Sequence, residues 1–318
     1  MAKSKKILSI VAAALSACIF SSCSATSAQV TFKDYWFFNP NTTPDTVLEE
    51  LTYKVKFEKS SSNGDEYELS YNTGTYTTKL TSQEIEGQKY YVYETKLTIS
   101  GQYVYDTQIK DFDDEVTMYA QFMQNAKLTP VYSRKTIKSH TPTNNTALSV
   151  DSCYSLTDYT VETTYQQDAT GGRSTLINNK TEKSSEFSFT LDGTYTCVDN
   201  EQLLLALRGL GQSSTAKLSV YSPFANQVQT IDVTPNSKEE GVEYKYDNGT
   251  QNGFEGVIET IPFTIAINSK NSGASQTIWI AQYNDQTNTH RNAILKMQTA
   301  VAYNLGTFTY TLTKATFA

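Results

Sequence analysis

Chemistry near neutral pH rests on histidine, cysteine and grouped carboxylates, and this chain holds few of them. Its two histidines, His140 and His290, fall in polar stretches with no nucleophile or ligand partner beside them in sequence. A zinc site built on them would need cysteine or carboxylate help at a spacing that is absent. No Gly-x-Ser-x-Gly elbow, phosphate-binding loop or two-glycine nucleotide fingerprint occurs. The densest acidic run, Asp111, Asp113, Asp114 and Glu115, suggests calcium because hard cations take oxygen ligands, but it lacks the loop spacing and glycine of a calcium hand. Acidic residues favoured at the start of a helix explain it instead. Asp113, Asp114, Glu115, Glu239 and Glu240 read as solvated faces. The expectation is a protein that is not an enzyme, with no metal and no cofactor.

Four cysteines remain. Cys153 and Cys197, in the body of the chain, read either as a disulfide in an oxidising compartment or as two buried small apolar side chains. The other two close the first segment. Lys3, Lys5 and Lys6 precede an uncharged run from Ile7 to Phe20, the build of a secretory signal peptide and too short to span a bilayer comfortably. Both Leu15-Ser16-Ala17-Cys18 and Phe20-Ser21-Ser22-Cys23 resemble the lipobox of bacterial lipoproteins, small residues before a cysteine that is acylated. Cys23 is the expected lipid anchor, because cleavage there leaves the apolar run in the signal and Ser24 to Ser27 as a polar tether. Cys18 is the alternative, and ordinary secretion with cleavage near Ala28 is a third reading. Each predicts an exported chain on the extracytoplasmic face, membrane-anchored in the first two. A net charge of -7, with no basic cluster beyond the first six residues, argues against a nucleic-acid partner.

The elements that must position any site are mostly strands. The chain has 318 residues, with 22 tyrosines against 2 tryptophans, abundant threonine and 19% charged residues, a composition that favours sheets. Leu51, Tyr53, Val55 and Phe57 alternate with Thr52, Lys54, Lys56 and Glu58, the period of a half-buried strand. Similar runs recur from Tyr67 to the end, with Gly101 expected to turn the chain and the tyrosines and threonines of the alternate face expected on the outer, wetted surface. Two stretches break the pattern. Asp199 to Gly211 predicts a helix: Asp199 and Gln202 suit its first turn, Leu203, Leu204, Leu207 and Leu210 follow at helical spacing, and glycines end it. Arg208 within it is expected at a solvent-facing rim. Over Asp111 to Asn125, Val116, Tyr119, Phe122 and Met123 predict a short helix or a looped lid.

The order of these signals resembles the uncharacterised bacterial envelope families with a half-open β-barrel, related to the periplasmic lipoprotein carriers and their outer-membrane receptor. The resemblance is carried by Leu51-Thr52-Tyr53-Lys54-Val55, by Leu128-Thr129-Pro130 with Ser133-Arg134-Lys135, and by the segment from Asn200 to Arg208. Thr277-Ile278-Trp279-Ile280 and Leu305 to Leu312 follow in the same order. It implies a mainly β fold: a large curved antiparallel sheet with one or two helices packed on its concave face, and an apolar interior that in carrier relatives accepts acyl chains. Residues 1–23 would then be the signal peptide, 24–40 a tether and N-terminal segment, and 41–318 one half-barrel domain, with a split near 140–147 as the alternative. The predicted function is non-catalytic binding of a lipid or other apolar ligand between sheet and helix, lined by Leu203, Leu204, Leu207, Val116, Phe122 and Trp279. The alternative is a structural or adhesive surface protein with a solid core and a Tyr-rich face for protein or glycan.

Overall fold

The computed structural model describes residues 29–32, 43–60, 67–143, 149–191, 193–210, 215–249, 253–268, 275–281, 290–301, 303 and 305–318. The signal, both candidate anchor cysteines and the aromatic run Tyr35 to Phe38 lie outside them. Nine strands come first: β1 (Thr46–Lys59), β2 (Glu68–Tyr71), β3 (Gly74–Ile85), β4 (Gln88–Tyr105), β5 (Gln108–Met123), β6 (Pro130–Pro142), β7 (Tyr154–Tyr165), β8 (Gly171–Asn178) and β9 (Ser184–Thr190). The short β10 (Thr196–Cys197) and the helix α1 (Leu203–Leu207) follow. The second run is β11 (Ala216–Ser222), β12 (Gln227–Pro235), β13 (Glu240–Tyr246), β14 (Phe254–Thr260), β15 (Phe263–Asn268), β16 (Ser275–Ile280), β17 (Ile294–Ala300) and β18 (Gly306–Phe317).

All but β13 and β14 join one sixteen-stranded sheet in the order β10-β11-β12-β15-β16-β17-β18-β1-β3-β4-β5-β6-β7-β8-β9, with β2 beside β4. Among the described strands of this sheet, β10 and β11 pair in parallel, over two residues, and the others antiparallel. The sheet does not close on itself, yet its two ends approach: Phe189 of β9 stacks on Tyr221 of β11 with ring centroids 3.9 Å apart. One face of both halves feeds one core. Leu51, Leu97 and Val116 from the first run share it with Val220, Ile231 and Met297 from the second. A sheet whose distant strands bury the same face together must bend round that face.

The alternation behind this is plain in β1, where Leu51, Tyr53 and Val55 are buried while Lys54 and Lys56 are exposed. Tyrosines stand on both faces: Tyr119 and Tyr132, of the alternate face, are partly exposed, but many others fill the interior. Tyr53, Tyr76, Tyr91, Tyr93 and Tyr103 are all buried. A tyrosine ring buries large apolar area if its hydroxyl finds a partner, as Tyr103 does by donating to the His140 carbonyl at 2.8 Å. The outer face also carries threonines, lysines and glutamates, with cross-strand pairs such as Lys96–Glu115 at 2.8 Å.

Helix is nearly absent among the described residues. Asp111 to Asn125 is not a helix: β5 runs through it in continuous register with β4 from Gln108 to Met123. Val116, Met118, Ala120 and Phe122 alternate inward there, a period of two that the more conspicuous Tyr119 obscured. α1 keeps only five residues, because the bonds on either side of it reach back three residues rather than four: Gln202 to Asp199 and Leu203 to Asn200 before it, Gly209 to Ala206 and Leu210 to Leu207 after it. Ser149 to Tyr154, expected as strand, contains a 3₁₀ turn at Val150–Ser152. Gly101 is not a turn but sits inside β4, where a Cβ would collide with the Phe112 ring and the Ser70 carbonyl.

Two further features frame the interior. The β13–β14 hairpin lies off the large sheet and is tied to β18 through Asp247, whose N–H donates to Thr313 and whose carbonyl accepts from Ala315. At the other end of the chain, Phe32 is fully buried, its N–H donating to the Ala126 carbonyl at 2.8 Å, while Val30 exchanges two hydrogen bonds with the Thr196 hydroxyl. Residues 29–32 of the N-terminal segment are therefore fastened to the body.

Candidate functional site

α1 is apolar nearly all round, and Leu203, Leu205, Ala206 and Leu207 are buried in the main core. So short a helix has no stability of its own and is placed by what holds its ends. At its entry the Asp199 carboxylate accepts from Ser133 Oγ of β6 at 2.6 Å, from the Tyr165 hydroxyl of β7 at 2.7 Å and from the Glu201 N–H at 2.7 Å. Burial pushes this carboxyl up to about 6, helped by the charge of Glu201 and opposed by those three donors. Next to it Lys135 pairs with Glu201 at 3.1 Å, both largely buried, and Gln202 donates to the Leu128 carbonyl at 2.7 Å.

The exit is held by Arg208, which faces inward rather than towards a solvent rim. Its side chain is 3% exposed and forks onto Glu49 of β1, Nη1 to Oε1 at 2.6 Å and Nη2 to Oε2 at 2.8 Å. The same guanidinium donates to the carbonyls of Asn292 at 2.8 Å and Arg291 at 2.9 Å, and Asn292 returns a bond to the Arg208 carbonyl. Burial lowers the Arg208 pKa most of any single cause, but the charge and hydrogen bonds of Glu49 together with Tyr53 and Tyr93 outweigh it, so the group stays protonated with its pKa raised. Sequence reasoning missed this pair because its members are 159 residues apart.

Between α1 and the sheet lies a cavity of about 140 Å³. Leu203 and Leu204 of α1 border it, facing Leu97, Val116, Met118 and Met297, and the Lys135–Glu201 pair forms part of its wall. Leu204 is the one α1 leucine not fully buried, consistent with its place on that space. Of the other residues expected to line a ligand site, Leu207 and Phe122 are packed inside the core and lie outside the cavity wall. Trp279 is on the opposite face of the sheet. Its neighbour Ile278 pairs with Met297 towards the core, whereas Trp279 donates to Glu240 of β13 at 2.9 Å and carries Lys296 Nζ 4.5 Å from its ring centre.

The remaining reactive side chains are spread out. Cys153 and Cys197 are free thiols in two different apolar clusters, so the disulfide considered from the sequence is not formed. Burial, with the nearby Asp199 charge, pushes the Cys197 thiol up to about 12, and burial likewise raises Cys153. The histidines do have partners: His140 Nδ1 lies 2.8 Å from Asp114 and His290 Nδ1 lies 2.7 Å from the Tyr246 hydroxyl. Burial raises the Asp114 carboxyl, against the hydrogen bonds from His140 and Ser139. Among the described residues no three histidine, cysteine or acidic side chains are grouped to hold a metal ion, and no helix is long and apolar enough to cross a membrane.

No family model and no curated protein matches the chain. Among solved structures, a porin-like protein from Bacteroides uniformis is similar at 10% identity, over 86% of this chain and 99% of that one, with a TM-score of 0.21. This is a weak likeness on which no conclusion about this chain rests.

Proposed function

We propose that the chain is an exported, lipid-anchored protein whose incomplete barrel binds a small apolar ligand between α1 and the sheet, without chemistry. The observation that carries this reading is the cavity of about 140 Å³, in whose wall Leu97, Val116, Met118, Leu203, Leu204 and Met297 are joined by polar groups such as Thr95 and Thr299. Its size sets the ligand. It is well below the roughly 300–1,000 Å³ of sites for drug-sized molecules and close to the ~150 Å³ that admits one benzene ring. A single ring or a short alkyl chain fits; a whole acyl chain does not. The Lys135–Glu201 pair at the wall would orient any polar end such a ligand has. The anchor in this reading is Cys23, with the Ser24 to Ser27 tether leading to residues 29–32, which are fastened to the body.

The test is direct. Protein purified without detergent should release a stoichiometric apolar species on extraction, seen by mass spectrometry, and should bind short alkylbenzenes by calorimetry. Leu204→Trp should abolish that binding and leave the fold intact by filling the space. An empty extract and no calorimetric signal would refute the reading. Metabolic labelling with an alkyne fatty acid should persist in Cys18→Ser and vanish in Cys23→Ser.

A second reading, a solid-cored surface protein, is favoured by how much of the interior tyrosine rings fill. In that case Leu204→Trp overpacks the core and lowers stability instead.

A further inference from the structure

A second concavity lies on the outer face, across five neighbouring strands. The register sets Thr75 of β3 opposite Thr98 of β4, Thr98 opposite Glu115 of β5, Glu115 opposite Lys138 of β6, and Lys138 opposite Asp158 of β7. All five residues line one groove of about 650 Å³. That volume lies inside the range of roughly 300–1,000 Å³ typical of ligand sites, and five strands about 4.8 Å apart make the row roughly 19 Å long.

The sheet forks at this point. The β5–β6 ladder ends at Glu115–Lys138, and beyond it the Asp114 carboxylate takes over, accepting from the His140 N–H at 2.9 Å and from Ser139 Oγ at 3.2 Å, with His140 Nδ1 at 2.8 Å. The imidazole is stacked on Phe112 with centroids 5.3 Å apart. The fork is therefore braced by a buried carboxylate, and Asp114 borders the groove.

The wall chemistry narrows what can bind. Apart from Ile99 the groove is lined by side chains that carry hydroxyl, carboxylate or ammonium groups, so a ligand that fills it must offer them polar partners as well as apolar surface. Four carboxylates, those of Asp113, Asp114, Glu115 and Asp158, line it against the single ammonium of Lys138, which repels anions. The carboxylates are too dispersed to gather a metal ion. Asp114 is taken up by the brace, but the other three have capacity left. Glu115 meets Lys96 through one oxygen, Asp158 accepts from Asn179 through one, and Asp113 and Lys138 have no side-chain partner among the described residues. Sugar hydroxyls donate to carboxylates and accept from hydroxyls and ammonium, so a polyol meets every kind of group in this row.

We propose that the row Thr75–Thr98–Glu115–Lys138–Asp158 is a binding site for a neutral glycan segment lying across the strands. It is independent of the cavity under α1. Affinity electrophoresis of the full chain in native gels containing mannan, dextran or xylan tests it. At least one neutral polymer should slow the protein relative to a polymer-free gel, and Thr75→Ala/Thr98→Ala, which changes no charge, should weaken that retardation about five-fold. Leu204→Trp should leave it unchanged, which separates the groove from the cavity. An unaltered thermal melt of the double variant shows that the fold survives. No retardation by any of the three polymers would overturn the proposal, as would equal retardation of the double variant. Binding of polylysine in place of all three would overturn it too, in favour of a basic partner.

Discussion

Arg208 and Glu49 offer the sharpest test of how α1 is held. Replacing Arg208 with Met keeps much of the stem but removes four hydrogen bonds: two to Glu49 at 2.6 and 2.8 Å, one to Asn292 at 2.8 Å and one to Arg291 at 2.9 Å. Glu49, 1% exposed, is then left as a buried charge without its guanidinium. Breaking such a pair costs about 3–5 kcal/mol, a large share of the 5–15 kcal/mol that keeps a typical protein folded. The double variant Glu49→Leu/Arg208→Met removes both charges, so its cost should fall to about 1–3 kcal/mol, set by the two abandoned carbonyls. Urea denaturation of the wild type, both singles and the double closes the cycle, with stability read from midpoints at constant slope. The expected double-variant loss is at least about 2 kcal/mol smaller than the sum of the singles. Additive losses, or an Arg208→Met cost below about 1 kcal/mol, would show that the buried fork does not hold the helix.

Three further outcomes follow from the same core. Burial raises the Asp199 carboxyl to about 6 from 3.8, so the native state holds its proton more tightly; this group's contribution to stability is complete below pH 4 and is lost, by roughly 3 kcal/mol, as pH rises through 6. Asp199→Asn should flatten that part of a stability-versus-pH curve, and an unchanged slope would assign it to another group. Cys153 and Cys197 should resist a thiol reagent in the folded protein and react as two thiols in guanidinium, with no effect of reductant on the melting temperature. Gly101→Ala should cost about 1–3 kcal/mol by chemical denaturation, because the added methyl meets the Phe112 ring and the Ser70 carbonyl.

How far the sequence could be read depended on whether a residue's environment was local. β1 was legible because Leu51, Tyr53 and Val55 alternate cleanly with charged neighbours, and the apolar burst from Leu203 to Leu207 was legible as helix. β5 was not, since Val116 and Phe122 fit both periods and only pairing with β4 chooses between them. The tyrosines stand on both faces for a related reason: an amphipathic side chain is inside or outside according to whether a distant carbonyl or carboxylate reaches its hydroxyl, as His140 does for Tyr103 and Asp199 for Tyr165. Trp279 belongs to an unbroken run with Ile278 and Ile280, the mark of a strand covered on both faces. What covers its second face is the β13–β14 hairpin, whose docking no neighbouring residue announces. Of the residues expected at a ligand site, Leu203, Leu204 and Val116 border the cavity, because position on α1 and inward parity on β5 are both local properties.

The polar contacts at the two ends of α1 also explain why a space remains beneath it. A five-residue helix free to settle by apolar packing alone would sink until no void remained, since each unfilled volume forfeits contacts. Here Asp199 fixes the entry to β6 and β7, Lys135 fixes Glu201, and Glu49 fixes the exit to β1. These are short, directional bonds whose lengths set the height of the helix above the sheet, so Leu203 and Leu204 stop short of Leu97 and Met297 and leave a gap of about 140 Å³. Loosening either end should therefore shrink the cavity rather than enlarge it. Arg208→Met, destabilised as it is, is expected to bind short alkylbenzenes more weakly than the wild type. Tighter binding by that variant would mean that the buried pairs hold the helix down instead of holding it up.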